Sequence, residues 1–204
     1  PAFSEQALDQ ALVELKKRFD PVNGGFGEAP KFLHPTELEF CLRRYFAAGD
    51  KDAGHMASHT LQKMAEGGIY DQLGGGFCRY STDPYWRIPH FEKMLAASAP
   101  LLRLYAGAWL ATHSPLFERV VEETARWVMR EMQPQATESD VTGAGYYSTL
   151  DADSENEEGK FYVWSLDEVM RLLGPEDGAY FATQYDVTVE GNFEGHNILN
   201  LLNH

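Results

Sequence analysis

The sequence predicts a mainly α protein, stacked helical hairpins with a small β-hairpin insertion, and three observations lead to it. Apolar residues recur at helical spacing over five long segments before residue 133. Loops in which glycine is followed by an aromatic residue punctuate those segments. After Thr142 the pattern becomes aromatic and β-branched, the signature of strands. With 204 residues, 44% of them hydrophobic and 13% aromatic, the chain can bury one substantial core, and it reads as a single domain over 1–204.

Each element follows from local chemistry. Ser4 is placed to cap a first helix whose Leu8, Leu12, Leu15 and Phe19 share one face, and Asp20-Pro21 with Gly24-Gly25 ends it. Thr36 precedes a second helix, Glu37 to Ala48, with Leu38, Cys41, Leu42, Tyr45 and Phe46 at helical spacing; a third, Asp52 to Glu66, stops at Gly67-Gly68. A fourth, Phe91 to His113, and a fifth, Pro115 to Met132, are broken apart at Ser114-Pro115. Residues 145–150 and 160–164 are expected to pair as a hairpin across an acidic turn. Ser165 then caps Leu166 to Leu173, Gly174-Pro175 ends that helix, and a further short helix is expected around Asp177 to Gln184.

A net charge of −14, from 17 Lys and Arg against 31 Asp and Glu, argues against nucleic acid and anionic membrane surfaces as partners. The apolar stretch from Met94 to Thr112 is interrupted by Pro100 and Arg103, which suits a buried helix better than a membrane span. A soluble, cytoplasmic protein is expected. Cys41 and Cys78 lie far apart without a C-x-x-C, so free thiols are expected rather than a zinc or redox site. His55 and His59 have i, i+4 spacing, but Met56 stands where the H-E-x-x-H motif needs glutamate. The run Asp151 to Glu157 resembles an EF-hand start, yet Asn156 replaces the turn glycine and Tyr162 stands where the bidentate glutamate belongs. No metal and no cofactor are therefore expected.

The loops carry the candidate chemistry. NGGFGEAPKF at 23–32, GGGFCRYS at 74–81, GAGYYSTLDADS at 143–154 and GNFEGHNIL at 191–199 resemble one another, and a repeat of this kind gathers alternate loops of stacked hairpins at one end, where they form a pocket. His90 is expected at the start of the fourth helix, where it can act as general acid or base with Glu92 orienting it or carrying the proton. His196, Glu194, Asp151 and Asp153 are further acid–base candidates from the later loops. Arg79 can hold a carboxylate or developing oxyanion, or pair with Asp83 or Asp71. Tyr80, Tyr85, Trp86 and Phe77 are candidate stacking surfaces, and His34, before Pro35, is expected to be extended in the first loop.

The runs GGIYDQLGGGFCRYSTDPYWRIPHFEKML, LDADSENEEGKFYVW and GNFEGHNILN, with the earlier GGFGEAPKFLHP, resemble the YyaL-like family, which includes spermatogenesis-associated proteins with a thioredoxin domain. The resemblance implies an (α/α)6 toroid akin to six-hairpin glycosidases and acylglucosamine 2-epimerases, usually preceded by a thioredoxin-like domain that this sequence lacks. The helices here suffice for about half of such a toroid. Half a toroid would expose an apolar edge, so either a homodimer through that edge or an incomplete fragment of a longer chain is expected. Family members commonly have His where this chain has Cys78, and a Tyr-Asp-Asn type of segment where it reads Ala96-Ala97-Ser98, so a mechanism needing those groups is not carried over.

Two function classes follow. One is a carbohydrate-active protein acting on a small molecule, either an epimerase or isomerase that moves a proton beside a carbonyl, or a hydrolase using two carboxylates. The other is a non-catalytic helical binding or scaffold module associated with a thioredoxin-like system.

Overall fold

The computed structural model describes residues 4–134 and 145–203. The first two residues of the third glycine-aromatic loop, Gly143 and Ala144, lie outside the described residues.

Five helices arise where apolar spacing places them: α1 (Glu5–Arg18), α2 (Pro35–Ala48), α3 (Lys51–Glu66), α4 (Leu95–Thr112) and α5 (Pro115–Glu131). α2 packs on α3 and α4 on α5, with α2 against α4 and α3 against α5. Their shared interior holds Leu38, Cys41, Leu61, Met64, Leu101, Tyr105 and Val120, all buried. Pro35 sits in the first turn of α2, where its missing N–H costs nothing. Asp50 accepts the Ala53 N–H to cap α3, at 2.9 Å. The sixth helical element, α6 (Leu166–Gln184), opens with a capping box between Ser165 and Glu168 and bends at Gly174, whose φ of 81° is left-handed. The expected pair of short helices is thus present, joined at a kink.

The loops pair with one another. β1 (Lys31–Phe32), β2 (Cys78–Ser81), β3 (Pro89–Met94) and β4 (Thr149–Leu150) form an antiparallel sheet in that order. β5 (Asp153–Ser154) and β6 (Glu157–Glu158) make a tight hairpin, and β7 (Val163–Trp164) pairs with β8 (Asn197–Ile198). Three of the four glycine-aromatic loops therefore meet in one sheet, and the fourth joins through β8 and the contact of Phe193 with Phe91.

Four expectations are corrected. Residues 89–94 are a strand, not the start of the fourth helix: Pro89, Phe91 and Lys93 are buried while His90, Glu92 and Met94 are half-buried, a period of two. The segments 145–150 and 160–164 do not pair with each other, because β4 completes the sheet beside β3 and β7 takes β8 instead. His34 is not extended but left-handed, with φ 46° and ψ 51°, as the N-cap residue of α2. Ser4 makes no side-chain cap; its carbonyl accepts the Ala7 N–H.

Candidate functional site

The outer face of the sheet gathers the candidates. Strand alternation turns His90 and Glu92 to the side opposite Phe91 and Lys93, and the register sets Tyr80 beside His90 and Phe32 beside Tyr80. The Tyr80 ring stacks on His90 at 5.2 Å and also meets Phe32 at 5.2 Å. His90 Nδ1 lies 2.6 Å from Glu158 Oε1, and its Nε2 lies 3.8 Å from Glu92 Oε2. A carboxylate can only accept, so Nδ1 carries the proton and Nε2 presents its lone pair in the neutral ring.

Glu92 is itself held. Arg79 Nη1 donates to its Oε2 at 3.0 Å and the Thr149 hydroxyl to its Oε1 at 2.9 Å. Arg79 therefore pairs with Glu92, not with Asp83 or Asp71. Asp83 instead accepts backbone N–H groups from Tyr85, Arg87 and Ile88, fixing the turn between β2 and β3. Beyond the sheet edge His34 Nδ1 meets Glu37 Oε1 at 2.9 Å, and its ring touches Phe26 and Phe32 edge-on.

The remaining candidates stand apart. Asp151 and Asp153 are exposed on a turn in which Asp151 Oδ1 accepts the Asp153 N–H. Glu194 and His196 are exposed at the tip of the last loop, Glu194 with φ 48°. Tyr85 is 56% exposed and borders a different crevice. Phe77 and Trp86 offer no surface to a ligand: both are fully buried, Phe77 between Tyr70 and Tyr105, Trp86 with its Nε1 donating to the Asn23 carbonyl.

Two residues of the site escaped the sequence reading. Glu158 is 68 positions from His90 and lies in an acidic stretch whose composition suits a solvated turn. Thr149 reaches Glu92 only because β4 lies beside β3.

The inner face of the sheet is unlike the outer. Lys93, 1% exposed in its side chain, donates to Asp71 Oδ2 at 2.6 Å and to the Gly75 carbonyl at 2.8 Å, beneath the Tyr162 and Trp127 rings. A cleft of about 380 Å3 opens beside it, lined in part by Asp71, Cys78, Phe91, Glu131, Tyr162 and Trp164. Burial pushes the Cys78 thiol up to about 12, with Lys93 opposing and the Asp71 and Glu158 carboxylates adding to the rise. Such a thiol is neither a nucleophile nor an acid–base group near neutrality. Among the described residues no group of three or more His, Cys, Asp or Glu side chains is placed to hold a metal ion, and no helix is long and apolar enough to cross a membrane.

No family model matches the sequence. Among curated proteins the chain is similar to spermatogenesis-associated protein 20 of Mus musculus, 38% identical over 183 residues covering 85% of this chain and 22% of the mouse protein. The Homo sapiens protein is 35% identical over 212 residues, covering 94% and 26%. The chain thus spans about a quarter of the length of these relatives. Among solved structures it is similar to a sugar epimerase from a ruminal bacterium, with a TM-score of 0.59 at 14% identity over 86% of this chain and 51% of that one. A cellobiose 2-epimerase from Spirochaeta thermophila gives a TM-score of 0.56 at 18% identity over 74% and 40%. The fold is that of the helical toroids, of which the chain supplies about half.

Proposed function

We propose that this chain, which belongs to the family of spermatogenesis-associated protein 20, contributes the base that moves a proton beside the carbonyl of a reducing sugar. The observation that carries the reading is His90 held between two carboxylates, Glu158 on Nδ1 at 2.6 Å and Glu92 3.8 Å from Nε2. Glu158 fixes the tautomer and stabilises the imidazolium once it forms, so Nε2 is the atom that receives a proton. The open-chain aldose loses the proton on the carbon next to its carbonyl, giving an enediolate. Return of that proton from His90 to the former carbonyl carbon yields the ketose, whereas the epimer requires a second, acidic group that protonates the same carbon from the opposite face. Tyr80 and the 47% exposed Phe32 extend an aromatic surface from His90 on which the apolar face of a sugar can rest. The sugar epimerase and the cellobiose 2-epimerase that share this fold support the same reading.

Glycoside hydrolysis fits less well. Glu92 is engaged by Arg79 and Thr149 and Glu158 by His90, so the two carboxylates bracket an imidazole rather than a gap for a glycosidic bond. Incubation with glucose, mannose and cellobiose in D2O, followed by proton NMR of the hydrogen next to the carbonyl, tests the reading. Exchange by the native chain that falls about 10²–10⁴-fold in His90→Gln, and less in Glu158→Gln, is the expected result. A native chain that exchanges no hydrogen from any of these sugars overturns it and leaves the non-catalytic binding module.

A further inference from the structure

Away from the sheet face, a crevice of about 270 Å3 is lined by Asn23, Lys63, Tyr85, Arg87 and Leu202. Its charge is unusual for this molecule. Of the 17 lysines and arginines, Arg18, Lys51, Arg87 and Arg171 have no side-chain ion pair or hydrogen bond among the described residues. Arg18, Lys51 and Arg171 are exposed, whereas Arg87 is half-buried and its Nε is sealed from solvent without a partner. Arg44 and Arg119 also have a sealed Nε, but their guanidinium groups have partners; in Arg87 the Nη groups have none among the described residues and are the donors left to meet a ligand.

The backbone builds this position. Asp83 accepts the N–H groups of Tyr85, Arg87 and Ile88, and the Trp86 carbonyl accepts the Ile69 N–H at 3.0 Å. Gly67 and Gly68 let the turn lie flat against the end of α3, since a Cβ on either would collide with the carbonyls of Trp86 and Arg87. The carboxylates nearby are already occupied: Asp20 by Lys31 and Asn23, Glu66 by Lys63 and Gln62, and Asp83 by the turn. Arg87 therefore lines the crevice without an acid of its own, beside Lys63, which Glu66 pairs, Asn23, whose amide donates to Asp20, and Tyr85.

We propose that this crevice binds an oxyanion, the carboxylate or phosphate group of a small acidic ligand. Arginine matches the planar, two-oxygen geometry of such groups, and lysine adds charge. The site stands independently of the His90 reading. Titrations of the 204-residue chain at low salt with inorganic phosphate and with acetate, followed by NMR shifts of Tyr85 and Asn23, test it and tell the two sources apart. Saturable binding of either anion, weakened about tenfold or more in Arg87→Gln and less in Lys63→Gln, with Lys51→Gln unchanged, is expected. Where Arg87→Gln does not fold, Arg87→Lys keeps the charge and removes the fork, and weakened binding is again expected. No binding of either anion, or binding that survives the loss of the Arg87 fork, overturns the proposal.

Discussion

The turn at 20–31 and the turn at 71–93 are two copies of one device. In each, an aspartate stands four residues before a Gly-Gly-Phe: Asp20 before Gly24-Gly25-Phe26, Asp71 before Gly75-Gly76-Phe77. Each aspartate closes its turn by accepting two backbone N–H groups, from Val22 and Asn23 in one copy and from Leu73 and Gly74 in the other. Each receives a buried lysine, Lys31 at 2.7 Å and Lys93 at 2.6 Å, lying over a tryptophan, Trp86 or Trp127. The surroundings differ. Lys31 is closed in by the Pro84 carbonyl and Trp86, while the Asp71 copy borders the cleft of about 380 Å3 and carries β3, the strand that presents His90 and Glu92. The same local hardware anchors the edge strand that presents Phe32 in one place and the strand that presents His90 and Glu92 in the other.

Removing the lysines should have the largest effect on that comparison. Lys31→Met and Lys93→Met each strand a carboxylate and should cost about 3 kcal/mol in denaturant unfolding, with most of the loss recovered in the double variants that add Asp20→Asn or Asp71→Asn. A tolerated Lys93→Met beside a destabilising Lys31→Met would show that the two turns are not equivalent supports. Next come the glycines. Gly25 and Gly76 both have φ 82°, and a Cβ would meet Trp86 at 2.6 Å or Trp127 at 2.7 Å, so either change to Ala should cost about 2–3 kcal/mol.

A smaller effect is read by pH at Asp20. Burial works against ionisation of Asp20, but the Lys31 ammonium, the Asn23 backbone and side chain and the Val22 N–H together hold its carboxyl well below the ordinary 3.8. The unfolded chain then takes up the proton first, so the stabilisation is present above about pH 4 and is lost as the pH falls below it. Asp20→Asn should lower stability at neutral pH and flatten its decline in acid, as read by unfolding curves from about pH 5 to about pH 2.

The helices were legible because their signals are local. Apolar spacing, the Ser165 capping box and the Gly174 kink act within a few residues, and no distant partner is needed to read them. β3 was not legible as a strand because Lys93 occupies an inward position: a buried cation disguises the alternation, and only the Asp71 carboxylate makes that burial tolerable. The aspartate four residues ahead of each Gly-Gly-Phe was a signal available in the sequence. The site itself was half legible. His90, Glu92, Arg79 and Tyr80 were picked out by type and neighbourhood, but their roles rested on a helix N-terminus where the chain forms a strand. Trp86 and Phe77 look like stacking surfaces in the sequence, yet an aromatic residue beside glycine fills a core as readily as it lines a pocket.

By itself the sequence determined the helical hairpins and the glycine-aromatic turns that end them, since capping, periodicity and glycine conformations are decided within a turn or two of chain. Only the tertiary structure decided that three loops pair as one sheet, that Glu158 meets His90, and that two lysines lie buried while Arg87 stands without an acid. Strand pairing and charge pairing are contacts between residues far apart in the chain, and no local preference specifies which partner arrives.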